Sequence, residues 1–168
     1  MPPLTSRHLV YLGLGTNLGD RLNNLERARI LIQERIGPVR IQSSVYQTEP
    51  WGLKDQPEFY NQVLLLETGL APPEVILDVI LHIEKEMGRI RHLKWDRRLI
   101  DIDILFFDRE VLQLDRLTIP HPLMEKRNFV LAPLAEIAPD FLHPVLEKTI
   151  RELAQTSTDL LKAEILAS

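Results

Sequence analysis

The strongest constraint on this chain is the order in which its apolar periodicity changes between residues 8 and 107. His8 to Leu14 is apolar on both faces, the pattern of a buried strand. Gly15-Thr-Asn-Leu-Gly-Asp20 is turn chemistry, and Asp20 can cap a helix from Arg21 to Ile36 with Leu22, Leu25, Ala28, Ile32 and Ile36 on one side. Gly37-Pro38 ends that helix. Val39 to Tyr46 alternates as a half-buried strand, with Val39, Ile41, Ser43 and Val45 facing one way. Gln47 to Glu58 predicts a long loop, and Asn61 to Glu67 a third strand. Pro72 and Pro73 open a second helix with Ile76, Ile80, Ile83 and Met87 as its core stripe, and Gly88 stops it. Arg89 to Arg98 is a basic loop, and Ile100 to Phe107 is a fourth strand.

Strand, helix, strand, strand, helix, strand is the ferredoxin-like βαββαβ arrangement of the α+β class. It predicts an antiparallel sheet flanked by helices. Beyond the 8–107 core, residues 108–168 form an extension, with a hairpin through Val111 to Ile119 and C-terminal helices. Pro120 to Pro144 reads as irregular with short helical pieces, Glu147 to Gln155 as helical, and the tail to Ser168 as weakly specified. The chain has 168 residues, which suits one domain spanning 1–168 with a full core. No cysteine is present, which excludes disulfides and thiolate metal sites. Met1 to Arg7 has no apolar h-region and no apolar run reaches membrane-spanning length, so a cytoplasmic protein without a membrane segment is expected. A net charge of -4 opposes general nucleic-acid binding.

The most informative segment is Ile100-Asp-Ile-Asp-Ile-Leu-Phe-Phe107. Alternation places Ile100, Ile102, Ile104 and Phe106 on one face, and Asp101 and Asp103 on the other with Leu105 and Phe107. Carboxylates two residues apart on one face lie about 6.5 to 7 Å apart at the backbone. Beside apolar neighbours they repel and lose hydration, and a dication relieves both penalties. Mg²⁺ favours such oxygen ligands and takes one or two carboxylates plus phosphates and water. The plainer reading is a solvated sheet face. The preceding loop tips the balance: Arg89, Arg91, His92, Lys94, Arg97 and Arg98 flank Trp95, with only Asp96 opposing. Cations for phosphate oxygens next to acids for a metal are what a metal–nucleotide site requires. Gly13-x-Gly15-x-x-x-Gly19 misses the dinucleotide fingerprint and no P-loop lysine follows it, so those routes to a nucleotide are excluded. Gly15 and Gly19 read as turn-shaping glycines. Thr48-Glu-Pro-Trp-Gly52 with Phe59 and Asn61 suits a pocket wall for a flat heterocycle, and Pro120-His-Pro122 with Arg127 and Phe129 another; core packing is the plainer role for each phenylalanine.

Five segments occur in order: Gly15-Thr-Asn-Leu-Gly-Asp20, Tyr46-Gln-Thr-Glu-Pro-Trp-Gly52, Gln56-Pro-Glu-Phe-Tyr-Asn61, Arg98-Leu-Ile-Asp-Ile-Asp-Ile-Leu105 and Leu117-Thr-Ile-Pro-His-Pro122. In combination the chain resembles the 6-hydroxymethyl-7,8-dihydropterin pyrophosphokinase family of folate biosynthesis, from about Leu9 to Pro139. The resemblance implies transfer of the ATP diphosphate to the pterin hydroxymethyl oxygen, with release of AMP. It implies that Asp101 and Asp103 bind two Mg²⁺ ions. It implies a catalytic set of Arg89, Arg91, Arg98, Asp101 and Asp103. Glu84, Trp95, Arg98, Ile104, Arg116, Thr118, His121 and Arg127 match nucleotide positions. Thr48, Glu49, Pro50, Trp51, Leu53, Phe59, Asn61 and Phe129 match pterin positions. The chain departs from the family pattern at Trp95-Asp-Arg-Arg98, where Trp-Gly-Pro-Arg is usual, and at Leu81 and Leu123.

The expected partners are ATP and the reduced pterin, with no nucleic acid and no membrane, and the expected state is a monomer. Two rivals stand beside this reading. A non-catalytic ferredoxin-like ligand-binding module would bind without releasing AMP. An RNA-recognition module would place aromatic residues where Asp101 and Asp103 stand.

Overall fold

The computed structural model describes residues 7–49, 57–88 and 99–166. Its main sheet has six strands: β1 (His8–Thr16), β2 (Val39–Gln42), β3 (Tyr46–Thr48), β4 (Phe59–Thr68), β5 (Asp101–Phe107) and β8 (Ala163–Ile165). The order is β5-β1-β4-β3-β8, with β2 also on β4, and all the pairings are antiparallel. With β2 and β3 taken as two halves of one strand, the expected βαββαβ order is present. Strands β6 (Leu112–Gln113) and β7 (Thr118–Ile119) form the expected hairpin.

Helices α1 (Arg21–Arg35) and α2 (Pro73–Glu86) lie where their apolar stripes predict. The Asp20 carboxylate accepts the Asn23 N–H at 3.1 Å as the α1 cap. The Asn24 amide staples the preceding turn by donating to Leu18 O at 2.7 Å and Thr16 Oγ1 at 3.2 Å. One core lies between the sheet and these helices: Leu25, Ile32, Ile76, Ile80 and Ile83 meet Val10, Leu12, Ile102 and Ile104. A second core covers the opposite face, where Val130, Leu131 and Leu134 of α3 (Asn128–Ile137) and Ile150 and Leu153 of α4 (Ile150–Gln155) pack on Tyr11, Val63, Leu105 and Phe106.

Four sequence expectations change. The strand expected over 39–46 is broken: its register on β4 slips between Val39 and Ile41 and again between Gln42, opposite Leu64, and Tyr46, opposite Asn61. Ser43 stitches the break, its hydroxyl accepting the Val63 N–H and its carbonyl accepting the Gln62 amide, and Ile41 is left exposed. On β5, Leu12 pairs with Ile104 while Tyr11 pairs with Phe106, so Leu105 is an extra residue. This bulge reverses the alternation. Phe106 therefore joins Leu105 in the second core, and Phe107 joins the isoleucines in the first. Asp101 and Asp103 precede the bulge and keep their predicted face. Third, the proline-rich stretch holds a ten-residue helix, α3, with Pro133 inside it. Its buried Val130, Leu131 and Leu134 outweigh the lost hydrogen bond. Fourth, the tail contributes β8 to the sheet edge, and only pairing partners distant in sequence reveal it.

Candidate active site

The site lies on the α3 face of the sheet, where β5, β1, β4 and β3 run side by side. Asp101 and Asp103 stand opposite Gly15 and Gly13 of β1. Gly15 in turn stands opposite Asn61 of β4, and Asn61 opposite Tyr46 of β3. One cross-strand row therefore runs Asp101, Gly15, Asn61. A Cβ at Gly15 would sit 2.9 Å from Asn61 Oδ1 and 3.9 Å from the Phe59 ring. The missing side chain opens the floor between acids and amide. The sequence places Gly15 in the turn, but β1 runs on through Thr16, and glycine inside a strand is the signal for such a close approach.

The acid pair is accessible to a ligand. Both side chains are only partly buried, that of Asp103 being 45% exposed. Glu84, almost fully buried on α2, accepts the Ile102 N–H at 2.9 Å. That bond lies on the outer edge of β5 and holds the strand segment between the two acids. Among the described residues no group of three or more His, Cys, Asp or Glu side chains converges as a ready-made metal cage. Two partly exposed carboxylates are a donor set that Mg²⁺ accepts when phosphate oxygens and water complete the shell, so the residues present fit the ion.

The Pro-His segment borders the pair. The His121 N–H donates to Leu105 O at 3.1 Å, and its Nε2 lies 3.9 Å from Asp103 Oδ2. Burial, then the nearby Arg127 charge, holds the His121 pKa below the usual imidazole range. Its ring is neutral at pH 7 and can donate a hydrogen bond. The Arg127 guanidinium lies 5.7 Å from the Phe129 ring centre, at the start of α3.

The amide–aromatic wall lies across the Gly15 floor. Asn61, nearly fully buried, donates from Nδ2 to Thr48 Oγ1 at 2.8 Å. This bond fixes the amide so that its carbonyl turns to the Gly15 side. Phe59 shares the face two residues earlier, and Phe129, half-buried, packs at the edge of the second core. Glu136 locks this wall from behind: it accepts the Ser44 N–H and hydroxyl and the Tyr46 hydroxyl, the last at 2.8 Å. Burial, reinforced by that carboxylate, pushes the Tyr46 pKa up to about 12, so the phenol stays a donor.

The structure thus brings together Thr48, Phe59, Asn61, Asp101 and Asp103 on one face, with His121, Arg127 and Phe129 on segments beside it. Glu84 supports the acids through the β5 edge. The Ile104 side chain belongs to the first core, so what it can offer a ligand is backbone on the outer edge of β5. Arg116 pairs with Asp78 of α2 at 2.6 Å, both largely exposed, and Thr118 lies on β7. Glu49 is exposed just past β3. Pro50, Trp51, Leu53, Arg89, Arg91, Trp95 and Arg98 lie outside the described residues.

Comparison with known proteins bears directly on this arrangement. Residues 11–139 match the family model for 7,8-dihydro-6-hydroxymethylpterin-pyrophosphokinase (HPPK). A 2-amino-4-hydroxy-6-hydroxymethyldihydropteridine pyrophosphokinase from Aquifex aeolicus is 42% identical over 149 residues, covering 89% of this chain and 92% of its own. The Bacillus subtilis protein of the same name is 43% identical over 131 residues, covering 77% and 78%. In solved structures, Plasmodium falciparum HPPK-DHPS with pteroate superposes with a TM-score of 0.76 at 20% identity, over 89% of this chain and 44% of that one. At that identity the superposition speaks for the fold, which is ferredoxin-like.

Proposed function

This chain belongs to the 7,8-dihydro-6-hydroxymethylpterin-pyrophosphokinase family, and from that premise we infer that it moves the diphosphate of ATP onto 6-hydroxymethyl-7,8-dihydropterin. The products are the diphosphate ester and AMP, and the step belongs to folate biosynthesis. The observation that carries the reading is the cross-strand row Asp101, Gly15, Asn61, in which the glycine's missing side chain lets an oriented amide approach the strand next to the acids.

Asn61 reads the hydrogen-bonding edge of the pterin, with Thr48 holding the amide in place. Phe59 and Phe129 stack on its faces, and backbone from Glu49 through Pro50, Trp51 and Leu53 closes the pocket. The hydroxymethyl group then points along the Asp101–Gly15–Asn61 row toward the acids. Asp101 and Asp103 would hold two Mg²⁺ ions, which would neutralise phosphate charge and acidify the attacking hydroxyl. Arg89, Arg91 and Arg98 supply the remaining positive charge to the polyphosphate. His121 and Arg127 donate to its oxygens from the opposite side, and Trp95, Glu84, Ile104, Arg116 and Thr118 border the nucleotide.

The chemistry is a displacement at the β-phosphorus. The pterin oxygen forms the new O–P bond, the bond to the α,β-bridging oxygen breaks, and AMP carries that oxygen away; the hydroxyl proton leaves to solvent. Positioning and charge neutralisation supply most of the acceleration, as in phosphoryl transfer generally. The enzyme works as one catalytic domain over residues 1–168, as a cytoplasmic monomer. No described helix is long and apolar enough to cross a membrane.

The test is incubation with ATP, Mg²⁺ and the reduced pterin, following AMP. Mg²⁺-dependent AMP formation that requires the pterin is expected. Pterin binding without AMP release would sink the reading in favour of a non-catalytic module.

A further inference from the structure

The last segment of the chain lies beyond the part that matches the family model, yet it ties together the two elements that flank the pocket. Helix α3 begins at Asn128, next to Phe129, and has no side-chain cap from its own N-cap residue, Arg127. The cap comes from 31 residues away. Asp159 Oδ2 accepts the Asn128 N–H at 2.8 Å, and the Asn128 amide donates back to Asp159 O at 3.1 Å and Leu161 O at 2.9 Å. The other carboxylate oxygen of Asp159 accepts the Leu161 N–H at 3.0 Å, and the Asp159 N–H donates to Ser157 Oγ at 3.2 Å. Asp159 is thus fully used in shaping the tail and capping α3.

Four residues later the same tail becomes β8. It pairs Thr48 with Ala163, Gln47 with Glu164 and Tyr46 with Ile165, and the Leu166 N–H donates to Val45 O at 2.8 Å. Strand β3 has three residues and pairs on its inner side with β4. Without β8 its outer edge would be open. Thr48, which orients Asn61, is its last residue. Residues 159–166 therefore bridge the start of α3 to β3, while Glu136 joins the far end of α3 to Ser44 and Tyr46. The frame is closed at both ends.

We propose that the C-terminal segment 157–166 is a strap that sets the spacing of the pterin pocket, with Asp159 and Asn128 as positioning residues for the heterocyclic substrate. The inference rests on the assignment of Phe129, Thr48 and Asn61 to the pterin. Asp159 touches neither substrate and acts through Asn128 and β8. Its loss loosens Phe129 and Thr48 relative to one another. The acids on β5 are held separately, by β1 and Glu84.

The experiment compares wild type with Asp159→Ala, Asp159→Asn and Asn128→Ala. It measures KM for the reduced pterin, KM for MgATP, kcat and Tm. Asp159→Ala is expected to raise the pterin KM about fivefold, equivalent to the ~1 kcal/mol of a lost helix cap, and to raise the MgATP KM by less, about twofold, through Arg127 beside Asn128. Asp159→Asn keeps an acceptor for the Asn128 N–H and should recover most of the loss. Asn128→Ala keeps the capped N–H but drops two tail bonds, so it should raise the pterin KM in the same direction, and it carries the test if Asp159→Ala does not fold. A lower Tm with both KM values unchanged, or equal rises in both, overturns the strap. If wild type itself makes no AMP from ATP and the pterin, the proposed function fails and the strap falls with it. Normal wild-type turnover with an unmoved pterin KM in the variants sinks the strap alone.

Discussion

Replacing Gly15 with alanine tests the site at its floor. Gly15 has extended strand geometry, so an alanine backbone costs nothing there and slightly favours folding by restricting the unfolded chain, by about 0.4 to 1 kcal/mol. The added methyl meets Asn61 Oδ1 at 2.9 Å, closer than real Cβ contacts come. Asn61 has little room to yield: it is buried and held by Thr48 at 2.8 Å. Displacing it breaks a buried hydrogen bond, at about 1 to 3 kcal/mol. The two terms leave a net loss of about 0 to 2.5 kcal/mol, or a Tm lower by up to about 10 °C for a chain of this size. The functional effect should be larger than that. The amide that reads the pterin is moved and the floor is raised, so kcat/KM for the pterin should fall about 10²-fold, the upper end of the roughly 1 to 3 kcal/mol that an unmade buried hydrogen bond costs. The MgATP KM should change little, because Asp101 and Asp103 remain where they are. Steady-state kinetics in both substrates, with Tm by calorimetry, measures all of this. A variant with normal pterin KM and kcat would refute the placement of Gly15 beneath the substrate.

Asp101→Ala and Asp103→Ala should each abolish AMP formation while shifting Tm by no more than about 2 °C, since neither side chain is deeply buried; near-normal turnover in either would reject the metal assignment. Glu84→Ala strips the acceptor from the buried Ile102 N–H, so urea unfolding should show a loss of about 1 to 3 kcal/mol together with reduced kcat, whereas Glu84→Gln should preserve most of the stability. His143 should make stability depend on pH: its Nδ1 accepts the Val145 and Leu146 N–H groups at 3.2 and 3.0 Å, and burial holds its pKa below the ordinary value of 6.5. Between the folded and unfolded pKa values the unfolded chain binds more protons, so His143's contribution is complete above about pH 6.5 and is lost as pH falls below it. Urea midpoints measured from pH 7.5 down to 5 should show that decline flattened in His143→Gln, and an equally steep decline would exclude His143 as its source.

Local periodicity carries the element order of the described residues up to 107. The stripe Ile76, Ile80, Ile83, Met87 is buried as spaced, and Asp20, Gly37 and Gly88 punctuate the helices where their chemistry demands. The acid pair was legible for the same reason. Asp101 and Asp103 lie two apart on one strand, and no long-range contact is needed to place them on one face. The amide–aromatic wall was legible as a set of residue types in a recognisable order of motifs, without the geometry that joins them.

Interactions between neighbours a few residues apart thus settle the strand and helix order, the Asp20 cap and the shared face of the two aspartates. Tertiary structure alone decided the bulge at Leu105 that sends Phe106 and Phe107 to opposite cores, the strand-interior role of Gly15, the helix that forms through Pro133, and the return of the tail as β8 to cap α3 and pair with β3. Each of these is set by a partner tens of residues away, whose hydrogen bonds or packing outweigh a weak or contrary local preference.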